Sequence, residues 1–186
     1  MSNLIITGLP QYANAITHSG RFTASEILSV VVLSKSNDDI LRLARLKTGS
    51  LSAVPKTAIA FGKGSKYDVN GEKRPNGILY SSAGLIWKEF GMQLLKNEDY
   101  IEPKKLWDAI DEALFQPIDA IEAGYMPTKD YRYKALSLYQ IIDMFNPWSE
   151  TATDTDYNGA FETAFNLMLQ IFEQTINYCL TKNFEA

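Results

Sequence analysis

The apolar positions of this chain change period about one third of the way along it. Two short apolar runs, Leu4-Ile5-Ile6 and Ala15-Ile16-Thr17, lie either side of Pro10 and read as strands. From Thr23 the spacing turns helical, with Ile27, Leu28, Val31 and Val32 on one face. Thr23 is placed to cap that helix, and Glu26 three residues later completes a capping box. Ile40 to Ala44 reads as a strand or a short helix, and Thr57 to Phe61 as a further strand ended by Gly62. This alternation predicts an α/β fold with a parallel sheet flanked by helices.

Residues Gly62 to Gly77 hold most of the turn signals, Asn70-Gly71 and Asn76-Gly77 among them, and predict a loop or a β-hairpin. The C-terminal half is predicted to be mainly helical. Ser81 or Ser82 can cap a helix carrying Leu85, Ile86, Phe90 and Leu94. Pro103 opens another with Leu106, Trp107, Ile110 and Leu114, which Ile118 and Ile121 either continue or restart after Pro117. Leu136 to Phe145 forms a helix stopped near Pro147. The last helix is capped by Asp156, and its core face is Phe161, Phe165, Met168, Phe172 and Ile176. No repeat or linker interrupts the pattern, so residues 1–186 read as one domain.

Composition narrows the classes. Hydrophobic residues make up 46% and charged residues 22%, which is a globular balance. A net charge of -4 supplies no global basic field, so any nucleic-acid or nucleotide site must be local. No apolar run reaches the roughly 18 residues of a membrane span. Cys179 is the one cysteine and sits in an apolar helical pattern, as a buried small side chain would. With no internal disulfide available and no signal-peptide pattern, a cytoplasmic setting is expected.

The chemistry-bearing stretch is Thr17-His18-Ser19-Gly20-Arg21-Phe22-Thr23-Ala24-Ser25-Glu26, headed by the only histidine. Further on stand Tyr67-Asp68-Val69-Asn70-Gly71, the run Arg74 to Lys88, Ile118-Asp119-Ala120-Ile121-Glu122-Ala123-Gly124, and Asn146-Pro147-Trp148. In order and spacing these resemble the motifs of the melanocyte-proliferating-gene family of exonuclease-like proteins, a branch of the DHH phosphoesterase superfamily. The family's first motif is T-H-x-G-x-F-H-x-D-E. Its most specific match here is R-x-N-G-I-x-Y-x-S-x-G-L-x-W-K over Arg74 to Lys88. The resemblance implies a single DHH-like domain, with the family's second, C-terminal domain absent.

The resemblance also implies a metal centre, and here most of its ligand positions are changed. Thr23 and Ser25 stand where the first motif has histidine and aspartate, Ala60 where the second has aspartate, and Val69 and Asn70 where the third has two histidines. What survives is His18, Glu26, Asp68, Asp119 and Glu122. Two divalent ions need bridging carboxylates and imidazoles to neutralise four positive charges, and one histidine cannot build such a site. The expectation is therefore a pseudoenzyme with no metal and no cofactor, which binds a nucleotide, a short oligonucleotide or a protein partner. Arg21, Gly20, Gly62, Lys63, Lys66 and Arg74 would line an anion site in it. The alternative is a residual phosphoesterase or exonuclease holding one divalent cation, manganese or magnesium, on His18, Asp68, Asp119 and Glu122. A third reading is an interaction module, such as a homo-oligomer built through the helical half. Each residue also has a structural reading: a hydrogen-bonded His18, a capping Glu26, an Asp68 that steadies the Asn70-Gly71 turn, and Asp119 and Glu122 on a solvated helix face.

Overall fold

The computed structural model describes residues 3–36, 39–47, 55–62, 65–68, 71–98, 100, 102–125 and 136–184. Its sheet contains four strands: β1 (Leu4–Thr7), β2 (Ala15–His18), β3 (Leu41–Leu46) and β4 (Ile59–Ala60). Their order is β1-β3-β2-β4 and every pairing is parallel, with Leu4 opposite Leu41, Ala15 opposite Leu43 and Ala15 opposite Ile59. The predicted α/β class and all four predicted strands are present. The Ile40 to Ala44 run resolves as strand β3, because Leu41, Leu43 and Arg45 alternate onto the covered face while Arg42 faces out.

Helix α1 (Ala24–Ser36) connects β2 to β3 and is buried on every side from Ala24 to Ser34. The sequence predicts one apolar face, yet Val30 and Leu33 are as buried as Ile27 and Leu28. The reason is its position: α1 lies between the sheet and a layer formed by α2 (Ser82–Ile86), α6 (Leu138–Asp143) and α7 (Asp154–Phe184). Its serines cost little there. Ser29 donates to the Ser25 carbonyl and Ser34 to the Val31 carbonyl, so each hydroxyl is satisfied on its own helix.

The predicted capping box at the start of α1 is formed. Thr23 N–H donates to Glu26 Oε2 at 3.0 Å, and Glu26 N–H donates to Thr23 Oγ1 at 3.3 Å. At α7 the cap is Thr153 rather than Asp156. Asp156 N–H donates to Thr153 Oγ1 and the Asp156 carboxylate accepts from Thr153 N–H, so Asp156 is the reciprocal partner three residues in. The core face of α7 holds as predicted, with Phe161, Phe165, Met168 and Phe172 fully buried.

Two helices contain π turns. α2 passes through a π turn at Trp87–Gly91 into α3 (Met92–Asn97), and α4 (Pro103–Ile110) passes through one at Asp111–Phe115 into α5 (Gln116–Glu122). The helix from Pro103 therefore continues across Pro117 instead of restarting. The widened turn just before Pro117 accommodates a residue that lacks an N–H donor. The Trp87 ring lies parallel to those of Phe115 and Trp107, at 4.6 and 5.9 Å between centroids, with Phe172 edge-on. Between β4 and α2 the turn-rich stretch includes a tight hairpin. Lys73 pairs antiparallel with Leu79, and Gly77, at φ 85°, closes the turn on the Arg74 carbonyl. No helix among the described residues is long and apolar enough to cross a membrane.

Gly91 marks how tightly the aromatic stack is packed. A Cβ there would lie 2.3 Å from Trp87 Cε3. Gly91→Ala should force the ring from its stack and lower unfolding free energy by about 1–3 kcal/mol. Urea denaturation checks this, and a midpoint equal to that of the unsubstituted protein would contradict the packing described.

Candidate functional site

In an open parallel sheet the loops beyond the carboxyl ends of the strands form the ligand crevice. Here β2 ends at His18 and β4 at Ala60, followed by Phe61 and Gly62. His18 Nδ1 lies 3.8 Å from Glu26 Oε1. Glu26 is tightly held, since Oε1 accepts from Thr17 Oγ1 at 2.6 Å and Oε2 accepts from the Thr23 N–H. Gly62, at φ +85°, closes the third side. A Cβ on it would stand 2.8 Å from His18 Nδ1 and 3.4 Å from Glu26 Oε1, so only glycine allows the imidazole this position. Gly62 N–H is shared between the Tyr67 carbonyl and Ser82 Oγ, and the Ser82 hydroxyl also donates to the Tyr67 carbonyl. The half-buried Asp68 follows directly on Tyr67 and so borders this group.

Behind it runs a buried polar chain that joins three of the sequence motifs. Ser25 Oγ accepts from the Ala83 N–H at 3.0 Å, which caps α2, and donates to Ser81 Oγ at 2.9 Å. Ser81, one of the two serines expected to cap this helix, stands at the N-cap position without a side-chain cap bond. Its hydroxyl and N–H both donate instead to Asp119 Oδ1. Asp119 Oδ2 accepts from Arg74 Nε at 2.6 Å, and the remaining edge of Arg74 pairs with both oxygens of Asp111 at 2.6 and 3.0 Å. Asp119 is fully buried, and Arg74 and Asp111 nearly so. Burial by itself would lower the Arg74 pKa, but hydrogen bonds and charge from Asp111 and Asp119 hold it above its ordinary value. Gly84 makes room for this network, because a Cβ there would meet Asp119 Oδ2 at 2.2 Å.

This geometry corrects the expected roles. Arg74 and Asp119 were read as an anion ligand and a metal ligand or solvated acid, and they are partners in an internal ion cluster. Lys66 donates to both oxygens of Glu89 at the surface, and Arg21 donates to Asp143 at 2.8 Å while lying over the Trp148 ring. Gly20 has φ 85°, with open space where a Cβ would be. Lys63, Val69 and Asn70 lie outside the described residues.

Glu122, on the last turn of α5, is the other acid of this region. Burial, helped by the charges of Glu26 and Asp119, pushes its carboxyl up to about 7 against the hydrogen bond from Tyr139. Its Oε2 is buried with no hydrogen-bond partner among the described residues. Within those residues no group of three or more His, Cys, Asp or Glu side chains is placed to hold a metal ion. The donors among the described residues do not fit a dinuclear centre.

Arg45, which the sequence reading missed, and Asn146, named only as part of a motif, organise the loop after His18. Arg45, nearly buried at the end of β3, donates to the Gly20 carbonyl at 2.6 Å and to Asn158 Oδ1 at 2.9 Å, with its guanidinium over the Phe161 ring. Desolvation lowers it to about 10 against the pull of Glu26 and Asp154. The signal was present in the strand, since Arg45 continues the inward alternation of Leu41 and Leu43. Asn146, 1% exposed, pairs its amide with the backbone of Phe22. Oδ1 accepts from the Phe22 N–H and Nδ2 donates to the Phe22 carbonyl, both at 2.9 Å.

Comparison with known proteins places the arrangement. The sequence profile described as Uncharacterised protein family (UPF0160), MYG1_exonuc, matches residues 14–186. The chain belongs to this family. The match spans every motif described above, from Thr17 to Trp148. The chain is also 26% identical over 189 residues to the MYG1 protein of Dictyostelium discoideum, which covers 87% of this chain and 55% of that protein. The chain thus spans about half the length of the curated relative it matches. No solved structure matches it. Placement in the wider DHH superfamily stays an inference from motif resemblance.

The UPF0160 site yields two tests. Arg74→Ala would leave two buried carboxylates without their cation, and should cost about 3–5 kcal/mol of stability. Arg21→Ala, at an exposed pair, should cost less than about 1 kcal/mol. Chemical denaturation at pH 7 separates them, and equal costs would contradict the assignment. Glu122 sets the pH dependence. The folded protein keeps its proton up to about 7, whereas the unfolded chain releases it near the ordinary value of 4.5. Between these limits the folded state binds more protons, so stability falls as pH rises through the window and levels off above it. Glu122→Gln should flatten that slope, read from denaturation midpoints between pH 4.5 and pH 8.

Proposed function

We propose that this chain is a phosphoesterase-like domain of the UPF0160 family that no longer hydrolyses phosphoesters, and that it binds a nucleotide or short oligonucleotide as a module. The observation that carries this reading is the state of Asp119. This acid of the fourth motif is wholly buried, with both of its oxygens engaged by Arg74 and Ser81, so it is committed to the interior instead of to a metal in the crevice. Ser25, at a ligand position of the first motif, is spent on capping α2. In the resemblance these positions belong to the metal centre, and here both serve the fold. A protein partner in place of a nucleotide is the other occupant of such a module.

A residual single-cation enzyme is favoured by one observation, the unpartnered Oε2 of Glu122 close enough to Glu26 to feel its charge. Glu122 would contribute to holding that ion, manganese or magnesium, which would supply a polarised water. The decisive experiment incubates the purified protein with each ion and a generic phosphodiester or short single-stranded RNA. The expected result is no turnover above the metal blank and no stoichiometric metal after dialysis. Manganese-dependent hydrolysis that disappears in His18→Ala would replace the binding module with the residual enzyme.

A further inference from the structure

The feature that the crevice does not account for is Trp148. It is 67% exposed, the highest exposure of any large hydrophobic residue among those described. A bare indole on the surface is ordinarily free to reorient, but this one is fixed. The Arg21 guanidinium lies over its ring at 4.2 Å from the centroid, and Asp143 holds Arg21 in turn at 2.8 Å. The backbone beneath is anchored two residues earlier by Asn146, whose paired hydrogen bonds to Phe22 tie the Trp148 segment to the loop that begins at His18. Met144, also well exposed, sits in the same short turn. The result is a flat aromatic surface with a cation over its ring and most of the residue open to solvent, tied to the loop that leads out of the crevice.

We propose that Trp148, backed by Arg21, is a stacking platform for the nucleobase of a ligand whose remainder enters the His18–Gly62 crevice. This deepens the binding-module reading and rests on it. Three points of chemistry favour a base. An exposed indole face stacks on any base without regard to its sequence. Arg21, already ion-paired with Asp143, makes the ring rigid without adding a net charge that would demand a phosphate at that point. Glu26 and Glu122 bring acidic groups to the crevice, so the described residues do not hold the ligand by anion pairing, and stacking is the interaction left to supply affinity. Pre-fixing the ring also removes the ordering cost that a mobile indole would incur on binding.

The test uses the three tryptophans. Trp87 is fully buried and Trp107 is partly buried in the stack beside it, so quenching of intrinsic fluorescence by added base reports chiefly on Trp148. The whole chain is titrated in EDTA with adenosine and cytidine 5′-monophosphates and with a short single-stranded RNA, by fluorescence and by calorimetry. The expected result is saturable quenching with little change between low and high salt. Trp148→Ala should weaken binding by about tenfold or more, as loss of one stacked base does. Trp148→Phe should keep most of the calorimetric affinity while losing the fluorescence signal. Unchanged melting of both variants shows that they fold. Binding by Trp148→Ala equal to that of the unsubstituted protein overturns the platform and leaves the module reading standing. No binding of any of these probes overturns both. Quenching that follows protein concentration instead of ligand overturns the platform in favour of self-association through Trp148.

Discussion

A single buried guanidinium ties this domain together. Arg74 is placed by a tight hairpin, and it reaches Asp111 in the π turn after α4 and Asp119 on α5. Asp119 carries the connection on through Ser81 to Ser25 on α1. Three segments distant in sequence meet at one buried cluster. Removing charge from water is costly, and the cost is recovered only when every charge has a partner in good geometry. The pairing is bidentate towards Asp111 and single towards Asp119, so the cluster tolerates one arrangement of its surrounding helices. The π turn at Asp111 and the glycine at 84 are understandable as accommodations to it. One brings a carboxylate inward, and the other clears the space that Asp119 occupies.

The same cluster bears on chemistry. An acid that neutralises a buried arginine cannot at the same time serve a cation in an open crevice, because its lone pairs face inward. The crevice is thereby left with His18, Glu26, Glu122 and the approach past Gly62. Glu26 is constrained too, since it caps the helix that follows the loop and accepts from Thr17. Glu122 alone keeps a carboxylate oxygen without a described partner, and desolvation accordingly lifts its pKa towards neutrality. A site with so few uncommitted donors is suited to holding a ligand by shape and stacking more than to polarising a phosphoester.

The loop leaving His18 owes its shape to groups remote in the chain. Arg45 holds the Gly20 carbonyl from one side and Asn146 holds Phe22 from the other, while Phe22 itself packs edge-on to Phe161 of α7. The exposed Trp148 and the half-buried His18 are therefore two ends of one connection. This is why a surface residue beyond α6 can bear on what enters the crevice.

The sequence by itself determined the sheet, the helices and most of their ends. Periods of two and 3.6 are local properties, as are the Thr23–Glu26 box and the apolar face of α7, and no distant contact is needed to impose them. It also placed His18 and Glu26 in one motif and Gly62 at the end of a strand, and these do meet. Only the tertiary structure decided which polar groups are spent on one another. Arg74, with three donor groups and a turn-rich setting, reads in sequence as an exposed cation. It is buried because Asp111 and Asp119 arrive from a helix 37 and 45 residues further along the chain. Ser81 occupies a capping position yet serves Asp119, and Ser25 caps a helix that begins more than fifty residues later. Hydrogen bonding and ion pairing are set by proximity in space. A linear pattern records which groups are available and leaves their partners to the packing of the helices.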